Sequence, residues 1–256
     1  MGRIITIANQ KGGVGKTTTA INLSACLAEA GQHVMLVDFD PQGNASSGLG
    51  VEIEEHEHTV YDLMAEEAGL DECLVKNVQD NLDVLPSDMN LAGAEIEFQE
   101  IENKETLLKR YLDQVRDDYD FILIDCPPSL NILTINALTA ADTVLVPIQC
   151  EYYALEGLNQ VLKTVELVRK KLNPQLELEG VVFTMYDART NLSLQVVESV
   201  KSNLNQTIYK TIIPRNVRLA EAPSHGKSIN LYDTRSTGAE SYRMLAAEVM
   251  SRGEEL

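Results

Sequence analysis

Several features that would indicate a membrane-spanning, metal-cluster or disulfide-stabilised protein are missing from this sequence. It contains no tryptophan and only four cysteines, Cys26, Cys73, Cys126 and Cys150, which are widely spaced and form no C-x-x-C pair. Such cysteines are typical of reduced thiols in a core, and we expect a cytosolic protein. No run of about 18 apolar residues is present, which argues against a membrane span. The first apolar run begins almost at the N-terminus, so no signal peptide is expected.

Positive charge is scarce in the first part of the chain. The 256 residues carry 21 lysines and arginines against 39 aspartates and glutamates, a net charge of −18. Residues 1–150 hold 8 basic and 26 acidic side chains, whereas residues 151–256 hold 13 of each. The net charge of the whole chain argues against nucleic-acid binding. Residues 151–256 are neutral overall, however, and could carry a basic patch that the net charge conceals. The length favours a single domain, residues 1–256, with a large core.

The stretch from Asn9 to Thr19 combines the end of a strand, a glycine-rich turn and the start of a helix. It follows an apolar run over residues 4–8 and precedes a helical pattern over residues 20–28. Glycines allow a tight turn that brings backbone N–H groups close to phosphate oxygens, and the helix adds its positive dipole end. The pattern predicts a phosphate-binding loop in which Lys16 contacts the β- and γ-phosphates and Thr17 ligates Mg²⁺.

This loop departs from the common pattern G-x-x-x-x-G-K-[ST] at its first position, where Gln10 replaces glycine and Lys11 follows. The resulting K-G-G-x-G-K-T-T sequence resembles the deviant phosphate loop of the ParA/MinD/nitrogenase-iron-protein group of ATPases. In that group the first lysine reaches across a dimer interface to the partner's nucleotide, which implies the same catalytic role for Lys11. The resemblance implies nucleotide contacts from Lys11, Gly12, Gly13, Val14, Gly15, Lys16, Thr17 and Thr18.

Apolar segments alternate with helical patterns along the remaining sequence. Further strands are predicted over residues 34–38, 82–86, 121–125, 143–147, 178–184 and 208–214. Helices are predicted over residues 59–64, 92–115, 130–140, 154–172, 190–204 and 239–250. Continuous apolar strands flanked by helices are typical of a parallel sheet that is covered on both faces. We therefore expect an α/β fold of the P-loop NTPase type, with a mostly parallel, doubly wound sheet.

Acidic side chains follow two of the predicted strands, at the edge where open α/β sheets bind ligands. Asp125 fits the acid that holds the Mg²⁺ shell through water. Asp38 and Asp40 point to the same face of their strand. The deeper Asp38 is expected to orient Lys16 or the Mg²⁺ waters, and Asp40 to position the attacking water. By contrast, the acidic segment 52–58, with His56 and His58, is interpreted as a solvated loop rather than a metal site.

The resemblance extends over nearly the whole chain. Segments 37–44 and 125–129 resemble the Walker A′ and Walker B segments of the family. Segments 149–157, 187–191 and 213–218 are especially similar to the chromosomal ParA (Soj) branch. The resemblance implies an ATP- and Mg²⁺-dependent homodimer that binds double-stranded DNA without sequence preference. It also implies a ParB-type centromere-binding partner that stimulates the ATPase, and a cytoplasmic, nucleoid-associated protein that does not bind membranes.

The resemblance also implies contacts with DNA and with the base. Residues 163–227 contain ten basic and six acidic side chains. The resemblance identifies Arg189 and Arg218 as the best DNA-contact candidates, with Lys201 and Lys227 as further ones. Two more residues, Pro214 and Asn216, are expected to contact adenine because a loop near the last strand closes over the base.

Other members of the same loop class remain alternatives. A MinD-like membrane-associated positioning ATPase is expected to carry a basic amphipathic C-terminal helix, whereas this chain ends in Glu254 and Glu255. A small-molecule synthetase would show turnover that depends on its substrate and not on DNA. A preference for GTP is disfavoured because no N-K-x-D motif occurs. Only eight residues precede Asn9, so the additional DNA-reading domain of larger plasmid ParA proteins is not expected.

Overall fold

The computed structural model describes residues 1–98, 101–204 and 208–253. Its strands are β1 (Arg3–Ile7), β2 (Val34–Asp38), β3 (Val75–Gln79), β4 (Leu82–Leu85), β5 (Phe121–Asp125), β6 (Thr143–Gln149), β7 (Glu177–Tyr186) and β8 (Ile208–Pro214). Its helices are α1 (Lys16–Glu29), α2 (Asn44–Gly48), α3 (Val60–Met64), α4 (Leu70–Cys73), α5 (Ala94–Glu97), α6 (Leu107–Val115), α7 (Ile132–Ala140), α8 (Ala154–Lys171), α9 (Asn191–Asn203), α10 (Val217–Glu221), α11 (Ile229–Tyr232) and α12 (Thr237–Gly253).

The strands form one sheet in the order β3-β4-β2-β5-β1-β6-β7-β8. Every neighbouring pair is parallel except β3 and β4. The expected mostly parallel α/β sheet is therefore confirmed. After β1, the chain places β2 to β5 on one side of β1 and then crosses to place β6 to β8 on the other side. The carboxyl ends of β1, β2 and β5 lie at this switch point in the strand order.

Apolar side chains of the strands alternate between two hydrophobic cores. On β1, Ile4 faces the core that holds α3 to α9, whereas Ile5 faces the core that holds α1, α2 and α10 to α12. The same alternation places Met35 and Leu36 of β2 on opposite faces. Helices therefore cover both faces of the sheet, and this burial on two sides explains why its strands are continuously apolar.

Two parts of the structure differ from the sequence prediction. The antiparallel edge strand β3 was not predicted because its sequence, Val-Lys-Asn-Val-Gln, is polar and half exposed. The predicted helix over residues 92–115 is wrong as one element, although residues 99 and 100 lie outside the described residues. The chain forms α5 and α6 separately, and Asn103 between them adopts the left-handed conformation (φ 55°), which interrupts a helix.

The other elements that were predicted agree with the structure to within a few residues, whereas the short helices α2, α4, α10 and α11 had not been predicted. Thr59 caps α3 as expected, because its side chain accepts from the Tyr61 N–H while Asp62 accepts from the Thr59 N–H. All four cysteines are buried free thiols. In the described part of the chain no helix has the length and apolar character needed to cross a membrane. The acidic residues Glu254 and Glu255 lie outside the described residues.

Candidate nucleotide and metal site

The phosphate loop leads directly into the first turn of α1. Gly13 and Gly15 adopt left-handed conformations (φ 74° and 87°) that residues with a Cβ rarely adopt. Gly15 occupies the N-cap of α1, so no side chain caps the N–H groups of its first turn. These donors and the positive end of the helix dipole form a site suited to an anion. The predicted loop is thus built as its glycines require.

Lys16 lies inside this loop and is only 6% exposed. Its Nζ donates to the Lys11 carbonyl oxygen at 3.3 Å, which closes the loop on itself. Burial lowers the pKa of Lys16, while the nearby Asp125, Cys126 and Asp40 oppose that change. The buried ammonium of Lys16 has a neutral carbonyl oxygen as its hydrogen-bond acceptor in the loop and no anion among residues 9–19. The phosphates of a bound nucleotide would supply the missing negative charge.

Asp125 is fully buried at the end of β5, and neither of its carboxylate oxygens accepts a hydrogen bond from the described residues. Burial and the neighbouring Asp38 raise the pKa of Asp125 well above its usual range, while the Thr17 hydroxyl and Lys16 act in the opposite direction. Two orphaned buried oxygens beside a hydroxyl fit a hydrated Mg²⁺, whose waters would donate to them. No group of three or more His, Cys, Asp or Glu side chains suited to a metal exists among residues 1–98, 101–204 and 208–253. The ion would therefore depend on Thr17, phosphate oxygens and water.

Asp38 lies opposite Asp125 in the register of β2 and β5, and its side chain accepts hydrogen bonds from the start of α2. Its expected role in orienting Lys16 or the Mg²⁺ waters stays a prediction. Its Oδ2 accepts from both the backbone N–H and the hydroxyl of Ser46 at 2.8 Å. No ion pair links it to Lys16 in the described part of the chain. Burial raises the pKa of Asp38 to about 6, although the Ser46 hydrogen bonds limit the rise. Asp38 thus fixes the start of α2 next to the candidate metal site.

Asp40 lies in the turn after β2 and is 8% exposed. Its Oδ1 accepts from the Gln42 N–H at 3.0 Å, which holds the turn. Oδ2 accepts no hydrogen bond from the described residues and remains available to a water molecule. Since Asp40 lies close enough to Lys16 to affect its pKa, this oxygen belongs to the same site. The placement is compatible with the expected role of Asp40, which stays a prediction.

A cavity of about 360 Å³ opens beside the phosphate loop. Gly15 and Thr18 form one side, and Pro214 and Asn216 form another, as expected for a base pocket. The Asn216 Oδ1 accepts from the Arg218 N–H at 2.8 Å and caps α10, while its Nδ2 donates to the Thr237 hydroxyl at 2.8 Å. A mostly apolar cavity with a few polar groups suits a planar heterocycle.

Sequence reasoning missed three residues that line this cavity. Thr184 donates its hydroxyl to the Val14 carbonyl at 2.8 Å and so supports the phosphate loop. Met185 adopts a left-handed conformation (φ 51°), which is rare for a residue with a long side chain. Tyr242, from α12, shares a hydrogen bond of 3.1 Å with the Thr19 hydroxyl. Thr184 and Met185 lie near the end of β7, and this position could have identified them from the sequence. No local sequence signal identifies Tyr242.

Lys11 points away from its own phosphate loop and pairs with Glu151, the second residue after β6. Its backbone N–H donates to the Asn9 Oδ1 at 3.0 Å, which fixes the loop entrance. Two large aromatic side chains adjoin this pair and are exposed: Tyr152 is 80% exposed and Tyr153 is 61% exposed. A half-buried cation flanked by exposed aromatic surface is typical of a contact region. The sequence did not identify Glu151 as the partner of Lys11.

Two of the four DNA-contact candidates lie together. Arg189 follows β7 and Arg218 lies in α10 after β8, and the Arg215 N–H donates to the Tyr186 carbonyl at 3.0 Å between these two loops. Both arginines already have acidic neighbours. Arg189 forms two hydrogen bonds with Asp187, at 2.8 and 2.6 Å, and Arg218 donates to Glu221 at 2.8 Å. The positive charge of this surface is therefore partly neutralised.

The other two DNA-contact candidates lie on different elements from these arginines. Lys201 is in the last turn of α9, ten residues or about 15 Å from its first residue. Lys227 lies in the turn before α11, and both lysines are exposed. The structure therefore brings Arg189 and Arg218 to the ends of neighbouring strands, whereas Lys201 lies at the far end of α9.

Comparison with known proteins shows similarity over almost the whole chain. A family model described as an AAA domain matches residues 2–178. The chain is 59% identical over 253 residues to the sporulation initiation inhibitor protein Soj of Bacillus subtilis (strain 168), covering 99% of this chain and 100% of that protein. It is 51% identical over 252 residues to the chromosome partitioning protein ParA of Caulobacter vibrioides (strain NA1000 / CB15N), covering 98% and 94%.

Among solved structures, a similar one is cobyrinic acid a,c-diamide synthase from Mycobacterium smegmatis with bound ADP and magnesium. Its TM-score is 0.88 at 36% identity, covering 99% of this chain and 96% of that one. The matched region includes the phosphate loop, the acids after β2 and β5, and the cavity beside Asn216.

Proposed function

We propose that this chain, which belongs to the Soj/ParA family of chromosome-partitioning ATPases, works as an ATP-dependent DNA-partitioning switch. ATP and Mg²⁺ are its cofactors. In the proposed cycle residues 1–256 act as a single domain, and two copies join face to face around two ATP molecules. The dimer binds double-stranded DNA of the nucleoid without sequence preference, and hydrolysis stimulated by a ParB-type partner separates it.

The outward placement of Lys11 carries this proposal. A phosphate loop needs one lysine, and Lys16 already occupies it. Lys11 instead lies at the surface beside exposed Tyr152 and Tyr153, where a second copy could receive it. To reach the partner's nucleotide it must leave Glu151. A cation supplied in trans to the transferring phosphoryl group accelerates such reactions by about 10³ to 10⁵ in related systems.

The chain's own groups have separable roles in the proposed hydrolysis. Backbone N–H groups of the loop and Lys16 bind the phosphates and hold them in place. Bound Mg²⁺, held by Thr17 and by waters on Asp125, would neutralise charge that develops on the phosphate oxygens. Asp40 orients the attacking water and accepts its proton, and Asp38 keeps the adjoining loop in position through Ser46. Pro214 and Asn216 contact the base.

The proposal is tested by two measurements on the purified protein. Sedimentation with Mg²⁺ and a non-hydrolysable ATP analogue should give a dimer, and with ADP a monomer. Steady-state ATPase should rise when DNA and a ParB-type protein are both present. A chain that stays monomeric with the analogue would contradict the dimer, and an ATPase indifferent to both additions would contradict the switch.

Replacing Asp40 with alanine is expected to lower the hydrolysis rate by roughly 10² to 10⁴ while ATP binding persists. The reason is that Oδ2 of Asp40 accepts no hydrogen bond from the described residues and can bind the attacking water, whereas the proposed phosphate contacts come from Lys16 and the backbone of the loop. The variant should accumulate as an ATP-bound dimer on DNA, which co-sedimentation measures. Asp80→Ala, which removes an exposed acid at the opposite end of the strands, provides the control. Normal hydrolysis by Asp40→Ala would contradict the assigned role.

Charge reversal at Arg189 or Arg218 is expected to weaken DNA binding without affecting dimerisation. Each variant places a carboxylate next to the acid that the arginine had neutralised, Asp187 or Glu221 respectively. The slope of log affinity against log salt should fall by about 1 for each lost phosphate contact per protomer. Lys76→Glu, at the exposed edge strand, serves as the control. An unchanged slope would show that the patch lies elsewhere.

Small-molecule synthetase activity is the second candidate, favoured by the similarity to the synthase structure. Relatives that are 51–52% identical over nearly the full chain are named as chromosome-partitioning proteins, and this higher identity favours partitioning. The two functions differ in what stimulates turnover. DNA with a ParB-type protein stimulates the first, and an acceptor carboxylic acid with an amine donor the second.

A further inference from the structure

A second large cavity lies beside the Asp40 turn and shares no lining residue with the base cavity. It has a volume of about 800 Å³, more than twice that of the base cavity. Three loops form its walls: residues 41–54 after β2, residues 87–89 after β4, and residues 223–226 after α10. We call it the switch-side groove. None of the roles assigned above uses it.

The switch-side groove is acidic and its acids are not neutralised. Its lining includes Glu52, Glu54 and Asp88 but no lysine or arginine. Glu52 and Glu54 are exposed, and neither forms an ion pair or a side-chain hydrogen bond with the described residues. The nearest cation along the wall, Lys227, follows Gly226 and lies outside the lining. Unpaired carboxylates around a concave surface attract a cationic ligand.

A buried polar group in the same groove also lacks a partner. Ser87 lines the cavity, is fully buried, and has no hydrogen-bond partner for its hydroxyl among the described residues. A buried hydroxyl without a hydrogen-bond partner destabilises the fold, so such groups usually meet a ligand or water. The unpaired hydroxyl of Ser87 is an observation separate from the negative charge of Glu52 and Glu54. Together the two observations indicate a binding site.

Binding in this groove would act directly on the candidate catalytic acids. Gln42 and Gly43 line it, and their N–H groups donate to the Oδ1 and carbonyl oxygen of Asp40 at 3.0 and 2.9 Å. Gly43 also packs so tightly that an added Cβ would lie 2.8 Å from the backbone carbonyl oxygen of Ser87. A ligand that moves either wall must therefore shift the Asp40 turn.

A second connection reaches Asp38. The Ser87 N–H donates to the Ser46 hydroxyl at 3.3 Å, and that hydroxyl donates to Asp38 at 2.8 Å. On the outer rim, the Gln42 side chain reaches the Met89 sulfur at 3.5 Å, a weak contact that spans the groove. Met89 is 63% exposed and offers an apolar surface beside the acids. An extended segment that carries cationic and apolar side chains matches this lining.

We infer that the switch-side groove binds a lysine- or arginine-rich segment of the partner protein and transmits its binding to Asp40 through Gln42 and Gly43. This inference rests on the proposed partner-stimulated ATPase cycle and adds the place where the partner acts. The segment places cations against Glu52, Glu54 and Asp88 and gives the Ser87 hydroxyl an acceptor. Stimulation then follows from a changed position of the Asp40 carboxylate.

The test uses the double variant Glu52→Gln/Glu54→Gln, with Asp80→Asn/Asp118→Asn as the matched control. The control acids are exposed and precede β4 and β5, at the opposite edge of the sheet. Binding of a fluorescein-labelled peptide of alternating lysine and alanine is measured by anisotropy at low salt. Affinity should fall roughly fivefold to tenfold in the groove variant and less than twofold in the control. Equal losses in both would show only general attraction to an acidic protein and would overturn the inference.

A second measurement uses the full ParB-type partner with DNA. In Glu52→Gln/Glu54→Gln the partner concentration for half-maximal ATPase stimulation should rise by the same factor, while unstimulated ATPase stays unchanged. Ser87→Ala should also raise that concentration without lowering the melting temperature. If the partner stimulates the variants and the wild type equally, the groove assignment is wrong although the proposed cycle stands. If it fails to stimulate the wild type, the proposed cycle itself is wrong.

Discussion

Replacing Lys16 with alanine is expected to abolish ATP binding and every step that depends on it. Lys16 is the buried cation of the phosphate loop, and its contact with the phosphates is a charge-assisted one. Losing about 3 kcal/mol of that interaction weakens binding roughly 100-fold. Isothermal titration calorimetry with ATP and Mg²⁺ measures the loss, and sedimentation and DNA co-sedimentation should show no dimer and no DNA complex.

The Lys16 variant needs a stability control because the lysine also opposes the raised pKa of Asp125. Removing it leaves a buried carboxyl with one cation fewer, so a lower melting temperature is expected. Lys76→Ala, which removes an exposed lysine paired with Asp71, should leave ATP binding unchanged. ATP binding by a folded Lys16→Ala protein at near wild-type affinity would contradict the assignment of the phosphate site.

Replacing Lys11 with alanine is expected to lower stimulated ATPase by about 10³ or more while nucleotide binding to the monomer persists. This separation follows from geometry, because the Lys11 side chain pairs with Glu151 at the surface and not with the loop interior. Single-turnover hydrolysis measures the rate, and calorimetry measures binding. Dimerisation with a non-hydrolysable ATP analogue should also be lost.

Glu151→Gln provides the complementary variant for Lys11. It removes the local partner of the lysine but keeps the cation, so dimerisation should be retained or become tighter. Mixing Lys11→Ala with an Asp40→Ala protein tests supply in trans, because a mixed dimer then contains one site with both groups intact. Hydrolysis restored in the mixture supports exchange of lysines between subunits. Wild-type hydrolysis by Lys11→Ala alone would contradict the catalytic role of Lys11.

Much of the fold and site could be predicted because the relevant signals are local. Continuous apolar strands, glycines at left-handed positions and acids at strand ends are each readable within about ten residues. The edge strand β3 escaped prediction because one exposed face and a polar sequence remove the apolar signal. Asn103 was missed for a related reason, since a left-handed break inside a charged helical pattern has no hydrophobic signature.

The missed site residues depend on contacts that are distant in sequence. Glu151 meets Lys11 because β1 and β6 are neighbours in the sheet, although about 140 residues separate them. The switch-side groove combines three loops from different parts of the chain, so no single segment reveals it. The hydrogen bonds from Ser46 to Asp38 were also not predicted from the sequence, because they form only when the turn after β2 folds back over eight residues.

The hydrogen bond between Tyr242 and Thr19 has a consequence for how the protein is made. Tyr242 forms part of the wall of the base cavity, yet the phosphate loop that adjoins it is among the first segments to be synthesised. A nascent chain shorter than about 240 residues therefore lacks a complete pocket. The base cavity is therefore complete only once the last helix has been synthesised and has packed against the first.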